Sequence, residues 1–164
     1  MFGDALRKAG GKQYHSVEKS PVFAAVAASL VDLAGLRDVV RITVGTGAEG
    51  IQRFHDSGVL TSQLAMIFFD HHKPSYTNDL KRCERLGLVG PGTVLVADNM
   101  ILPGNPLYAE WVRATVEEKQ ELDELSEEKG NPNLHYKSRS IRSWEPSGHE
   151  DALEITECVG VDKH

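Results

Sequence analysis

The chain is poor in cysteine, in basic excess and in long apolar runs, and each shortage narrows what it can be. Of its 164 residues only Cys83 and Cys158 are cysteines, in no paired spacing. That gives no disulfide framework and predicts two reduced, partly buried thiols in a reducing compartment. Lys and Arg number 18 against 24 Asp and Glu, a formal charge of −6, whereas nucleic-acid binding calls for a basic face. No apolar run reaches membrane-spanning length, and the opening MFGDALRKAGGKQYH lacks the apolar core of a signal peptide. The expectation is a cytoplasmic chain with one core and no nucleic acid, membrane or defined protein partner.

What is present alternates between strand and helix patterns. KQYHSVE (12–18) and VVRITVG (39–45) read as strands, flanking a helix with Ser20 as N-cap, Pro21 at the first helical position and Gly35 at the end. Residues 48–56 read as a short helix, 64–70 as a buried strand, 77–87 as a helix and GTVLVADN (92–99) as a strand. A single long helix is expected over 105–130, its charged run 117–129 forming a solvated face. NLHYKSRSI and DALEITECV close the chain as an antiparallel pair around EPSG. The order implies an α/β fold, mostly parallel with a C-terminal antiparallel hairpin.

In such sheets ligands bind at the carboxyl ends of the strands. Three strands here end in acids: SVE in Glu18, FFD in Asp70 and LVADN in Asp98 with Asn99. Taken singly, each acid serves as well for a cap, a turn residue or an ion-pair partner; three along one edge point to a site. Asp70, Asp98 and Asn99 offer the hard oxygen ligands that Mg²⁺ prefers. Glu18 is placed to accept hydrogen bonds from ribose hydroxyls. A lysine beside a divalent cation has its charged form disfavoured, so Lys73 can work as a base.

MIFFDHHK, GTVLVADNMILPG and YHSVEKSPVFAAVAASLVDLAGL together resemble the catechol O-methyltransferase family, class I enzymes that use S-adenosylmethionine, from about residue 12 to 160. The resemblance implies a Rossmann-like methyltransferase sheet and transfer of a methyl group to a catechol-type acceptor, with S-adenosylmethionine as cosubstrate and Mg²⁺ as metal. It implies Asp70, Asp98 and Asn99 as metal ligands, Lys73 as the base and Glu18 on the cosubstrate ribose. It further implies His71, Gly45, Gly47, Ala48 and Asp70 on the cofactor side. Glu145, six residues before Asp151, falls where the family holds the second catechol hydroxyl, with Asn99 beside it. Pro103 and His72 fall at walls of the acceptor cleft. His72 replaces the family's usual tryptophan and makes a more polar wall, and Gly47 and Ala48 replace a Ser-Gln pair.

The family's Gly-rich motif has no counterpart here, and the opening residues resemble the helix that follows it. Residues 1–164 are therefore expected to form a single partial methyltransferase domain lacking the usual first, central strand, which binds S-adenosylmethionine weakly or not at all. A non-catalytic binding module or gene fragment is the alternative. FFDHH also resembles the Asp-His-His phosphoesterases, a minor alternative, but no Asp-x-Asp element precedes it.

Overall fold

The computed structural model describes residues 1–162 and divides into two compact units, Met1–Arg53 and Phe54–His164. Among the described residues no helix is long and apolar enough to cross a membrane.

The first unit contains α1 (Phe2–Lys8), β1 (Tyr14–Glu18), α2 (Pro21–Leu33), β2 (Val40–Val44) and the start of α3 (Gly47–Asp56). Strands β1 and β2 run parallel, from Tyr14 opposite Val40 to Glu18 opposite Val44. The start of α2 is as expected: Pro21 opens it, and the Ser20 side chain accepts a hydrogen bond from the Phe23 N–H. Its end is also legible, since Gly35 adopts φ +65°. Helix α3 lies so close to β1 that a Cβ on Gly50 would meet a Val17 methyl at 2.5 Å. A small core forms from Leu36, Val39 and Val40, with Tyr14, Val31 and Ile42 packed on it.

The second unit holds β3 (Met66–Phe69), α4 (Tyr76–Arg85), β4 (Val94–Ala97), α5 (Pro106–Arg113), α6 (Val116–Glu124), β5 (Leu134–Trp144) and β6 (Glu150–Val161). Its sheet has the order β3-β4-β6-β5. The β3–β4 pair is parallel, as is β1–β2, and β6 is antiparallel to both β4 and β5, which matches the expected parallel strands with a terminal antiparallel hairpin. Helix α4 buries Tyr76, Asp79, Leu80, Cys83 and Glu84, an i, i+3, i+4, i+7, i+8 stripe. Helix α5 adds Tyr108, Trp111 and Val112. The rings of Tyr76 and Tyr108 each lie 5.6 Å from that of Phe69, the last residue of β3. Cys83 and Cys158 are free and buried, and burial pushes the Cys83 thiol up to about 12.

Two expectations need correction. The helix over 105–130 is two helices, because Ala114 adopts extended backbone (ψ 148°) and Thr115 starts a new N-terminus. Thr115 and Glu118 form a reciprocal capping box, with Glu118 N–H donating to Thr115 Oγ1 and Thr115 N–H to the Glu118 carboxylate. The charged run is also more than a solvated face. Lys119 is fully buried, with its ammonium 4.2 Å from the Tyr136 ring centre and donating to the Leu134 carbonyl. Beyond α6 the chain is clipped to α4: Glu128 pairs with Arg82 and Arg85, and Asn131 N–H donates to Glu84.

Candidate functional site

The second unit brings together most of the residues singled out from the sequence. Phe69 at the end of β3 faces Ala97 at the end of β4, and the Asp98 N–H donates to the Phe69 carbonyl at 2.9 Å. Register therefore carries Asp70 and Asp98 past the ends of adjacent parallel strands together. Strands of this kind are spaced about 4.8 Å apart.

Lys73 lies in the single 3₁₀ turn Lys73–Ser75 that leads into α4. Its ammonium donates to Asp70 Oδ1 at 3.1 Å and to the Tyr76 hydroxyl at 2.8 Å. Tyr76 in turn donates to the Asp98 carbonyl at 3.4 Å. Burial, then the charges of Asp70, Asp98 and Asp151, push the Tyr76 phenol well above its ordinary value, so it stays protonated at neutral pH. The Lys73 carbonyl is pinned by the Asn105 side-chain amide at 2.6 Å.

Asn99 follows Asp98 in left-handed backbone, φ 58° and ψ 47°, a conformation that asparagine tolerates better than most residues. Its N–H donates to Asp98 Oδ1 at 2.7 Å. Its side-chain NH₂ donates to Asp151 Oδ2 at 2.9 Å and to Glu145 Oε1 at 3.3 Å. Carboxylates only accept, so these two partners fix which end of the amide is nitrogen and turn Oδ1 away from them. Asp151 is 2% exposed. Burial pushes its carboxyl up, but hydrogen bonds from Asn99, Ile101, Ala152 and Leu102 outweigh that and hold it below the ordinary carboxylate value.

The two histidines part ways. His71 Nε2 meets Asp79 Oδ2 at 2.8 Å and its ring stacks on Tyr76 at 4.8 Å. His72 is exposed and meets Ser75 Oγ at 3.2 Å. Among the described residues no group of three or more His, Cys, Asp or Glu side chains could hold a metal ion. The Asp-His-His reading gains no support here, since His71 is engaged with Asp79 and His72 with Ser75. A cation here would rest on two carboxylates and the carboxamide oxygen of Asn99. Those donors fit Mg²⁺: all are hard oxygens, and the amide is already turned with its nitrogen engaged elsewhere. Pro103 is exposed, in the irregular turn Met100–Gly104.

Glu18, Gly45, Gly47 and Ala48 belong to the first unit. Glu18 is half-buried at the end of β1, where one carboxylate oxygen accepts the Ser20 N–H at 2.7 Å. The Gly45 N–H donates to the Glu18 carbonyl at 3.0 Å, and Gly47 and Ala48 open α3.

Sequence reasoning missed four residues that hold the others: Tyr76 and Asn105 on Lys73, Asp79 on His71, and Asp151 on Asn99. Tyr76 had a local signal, since it stands three residues past Lys73 at the start of a helix. The partners of Asn105 and Asp151 lie far away in sequence and left none.

A family model described as a methyltransferase domain matches residues 1–100. The chain is 37% identical over 103 residues to a catechol O-methyltransferase of cattle (Bos taurus), which covers 63% of this chain and 38% of that protein. It is 38% identical over 104 residues to catechol O-methyltransferase B of zebrafish (Danio rerio), covering 63% and 39%. The chain thus spans about two fifths of the length of these curated relatives. Its fold is that of an O-methyltransferase of Streptomyces achromogenes involved in tomaymycin synthesis and solved with SAM: TM-score 0.62, 22% identity, 90% of this chain and 62% of that one.

Proposed function

The chain belongs to the methyltransferase-domain family, and from that premise we propose that it transfers a methyl group from S-adenosylmethionine to a catechol hydroxyl with the help of Mg²⁺. The carrying observation is the hydrogen-bonded cluster at one sheet edge: Lys73 on Asp70 at 3.1 Å, Asp98 capping Asn99 at 2.7 Å, and Asn99 on Glu145 at 3.3 Å. Residues assigned to metal, base and second hydroxyl are neighbours there. The similarity to catechol O-methyltransferases supports the acceptor class.

Asp70, Asp98 and Asn99 would hold the metal, which would supply the Lewis acidity that lowers the pKa of the hydroxyl to be methylated. Lys73 in its neutral amine form takes that proton at Nζ, with Tyr76 as its hydrogen-bonding neighbour. Glu145 accepts from the second hydroxyl, while Pro103 and His72 flank the ring. The phenolate oxygen then forms a bond to the methyl carbon as the carbon–sulfur bond breaks, leaving S-adenosylhomocysteine. Orientation supplies much of the acceleration. In the first unit Glu18, with one carboxylate oxygen fixed by Ser20, is assigned to the ribose and Gly45, Gly47 and Ala48 to the cofactor; in the second unit His71 is assigned to the adenine.

The test is methyl transfer from labelled S-adenosylmethionine to catechol, with Mg²⁺ and with EDTA, alongside calorimetric titration of each ligand. Asp70→Ala should abolish metal-dependent catechol binding and leave the melting temperature nearly unchanged, because the Asp70 side chain is half exposed. Equally tight catechol binding with and without Mg²⁺ would remove the metal assignment.

A further inference from the structure

Strand β6 runs on past the end of β4. The last ladder pair is Ala97 opposite Glu154, so the residues of β6 before Glu154 reach over the turn that follows β4. Asp151 is the one that faces it. Its Oδ1 accepts the N–H groups of Ile101 at 2.9 Å, Leu102 at 3.3 Å and Ala152 at 2.7 Å. Its Oδ2 accepts the Asn99 side-chain NH₂ at 2.9 Å. The turn is closed on its other side by the Gly104 N–H on the Asn99 carbonyl at 3.2 Å.

We propose that Asp151 is a positioning residue, which selects the amide orientation that turns the oxygen of Asn99 outward to a cation and fixes the turn carrying Pro103. The two tasks belong to different oxygens of one buried carboxylate, and each needs an acceptor. A donor at Oδ2 would face the Asn99 NH₂ donor to donor. The Asn99 amide would then turn over, putting Oδ1 on residue 151 and NH₂, which binds no metal, outward. Glu145 supports the observed orientation from a longer 3.3 Å. This inference rests on the Mg²⁺ assignment above. It adds the residue that makes Asn99 a ligand, and it ties the metal to a wall of the acceptor cleft.

Mn²⁺ alone is the probe, counted by the electron paramagnetic resonance of the free ion in titrations of the 164-residue chain, with no turnover required. Asp151→Asn can keep its oxygen on the three backbone N–H groups while its NH₂ faces Asn99. It should lose at least about tenfold in Mn²⁺ affinity, the range for residues that orient a metal ligand, with little change in melting temperature. Asn99→Asp alone sets a carboxylate against Asp151 and Glu145 and should also bind Mn²⁺ worse. The double variant Asn99→Asp with Asp151→Asn restores a donor–acceptor match and still offers an outward oxygen, so it should regain most of the loss. A merely structural role for Asp151 predicts no such rescue.

Wild-type affinity in Asp151→Asn, or no recovery in the double variant, overturns the proposal alone. No Mn²⁺ binding by the wild-type chain overturns the metal assignment, and this inference with it. Should Asp151→Asn fail to fold, the wild-type chain decides by NMR. The Asn99 side-chain NH₂ protons should exchange slowly with solvent and stay slow at saturating Mg²⁺. Acceleration by Mg²⁺ would mean that the amide lets go of its carboxylates, against the proposal.

Discussion

The two units differ in how their polar side chains are held. In the first unit Glu18 caps Ser20, Glu49 caps Thr46 and Arg7 pairs with Asp38 near the surface. The apolar side chains Val22, Phe23, Val26, Leu30 and Leu33 of α2 are exposed. In the second unit polar groups reach inward and hold distant segments together. Glu84, 2% exposed, accepts from Trp111 Nε1 at 2.9 Å, Tyr136 OH at 2.5 Å and Asn131 N–H at 3.0 Å. Glu154, fully buried, takes both arms of Arg113. Asp151 and Asn105, both buried, likewise hold the Asn99 side chain and the Lys73 carbonyl in the candidate site. Preorganisation of the site is therefore a property of the second unit's polar interior.

Substitutions can break or sharpen that contrast. The largest effect should come from Lys73→Ala. Removing a positioned base lowers turnover by about 10²–10⁴, and the half-exposed Asp70 left behind keeps stability close to wild type. Steady-state kinetics with saturating Mg²⁺ measure it, and an unchanged kcat would take Lys73 out of the mechanism. Next is Glu84→Ala, which strands the buried Trp111 N–H, at about 1–3 kcal/mol, and two part-buried donors that cost less. It should lower stability by at least about 2 kcal/mol. Glu84→Gln keeps one acceptor oxygen and should lose less. Urea melts of the pair rank the interior network, and equal midpoints for both variants and wild type would show that the network does not hold the unit.

Arg113→Ala gives a smaller, pH-dependent loss. Burial pushes the Glu154 carboxyl up, but the Arg113 fork and Ser138 outweigh it and hold it below the ordinary value of 4.5. A carboxyl lowered on folding contributes stability that is fully present above about pH 4.5 and is lost as pH falls through the lowered folded value. Arg113→Ala should therefore cost about 2 kcal/mol at pH 7. The gap to wild type should narrow as pH falls below 4.5. A gap that stays constant in urea melts down to pH 3 would mean that the pair contributes nothing through its charge.

How much of this could be read from the sequence follows from distance along the chain. Asp70, Asp98 and Asn99 were visible because an apolar strand pattern stops at each, and a polar group at a strand end has to lie at the rim. The break between α5 and α6 had a local sign, the Thr115–Glu118 capping box, which the continuous helix-forming composition around it masked. Burial of Lys119 was illegible, since a charged run looks solvated until Tyr136 and Leu134 arrive from β5. The grip of Asp151 on Asn99 depends on how far β6 overshoots β4, which is a matter of register. No pattern within either segment encodes it.

The smallest effect should come from Phe23→Ser on α2, and it tests the other side of the comparison. Phe23 is the largest side chain on the exposed face of that helix and is 67% exposed. Serine has slightly lower helix propensity than the best formers, a matter of tenths of a kcal/mol. The Ser20 cap uses the backbone N–H of residue 23 and not its side chain, so it survives the change. Exposed positions without such special roles usually move stability by no more than about 0.5 kcal/mol. Phe23→Ser should therefore leave the urea midpoint of the 164-residue chain nearly where it was, while Glu84→Ala moves it far. A loss as large as that of Glu84→Ala would mean that the α2 face is covered in solution, and the first unit would then be held by apolar packing as firmly as the second is by its polar interior.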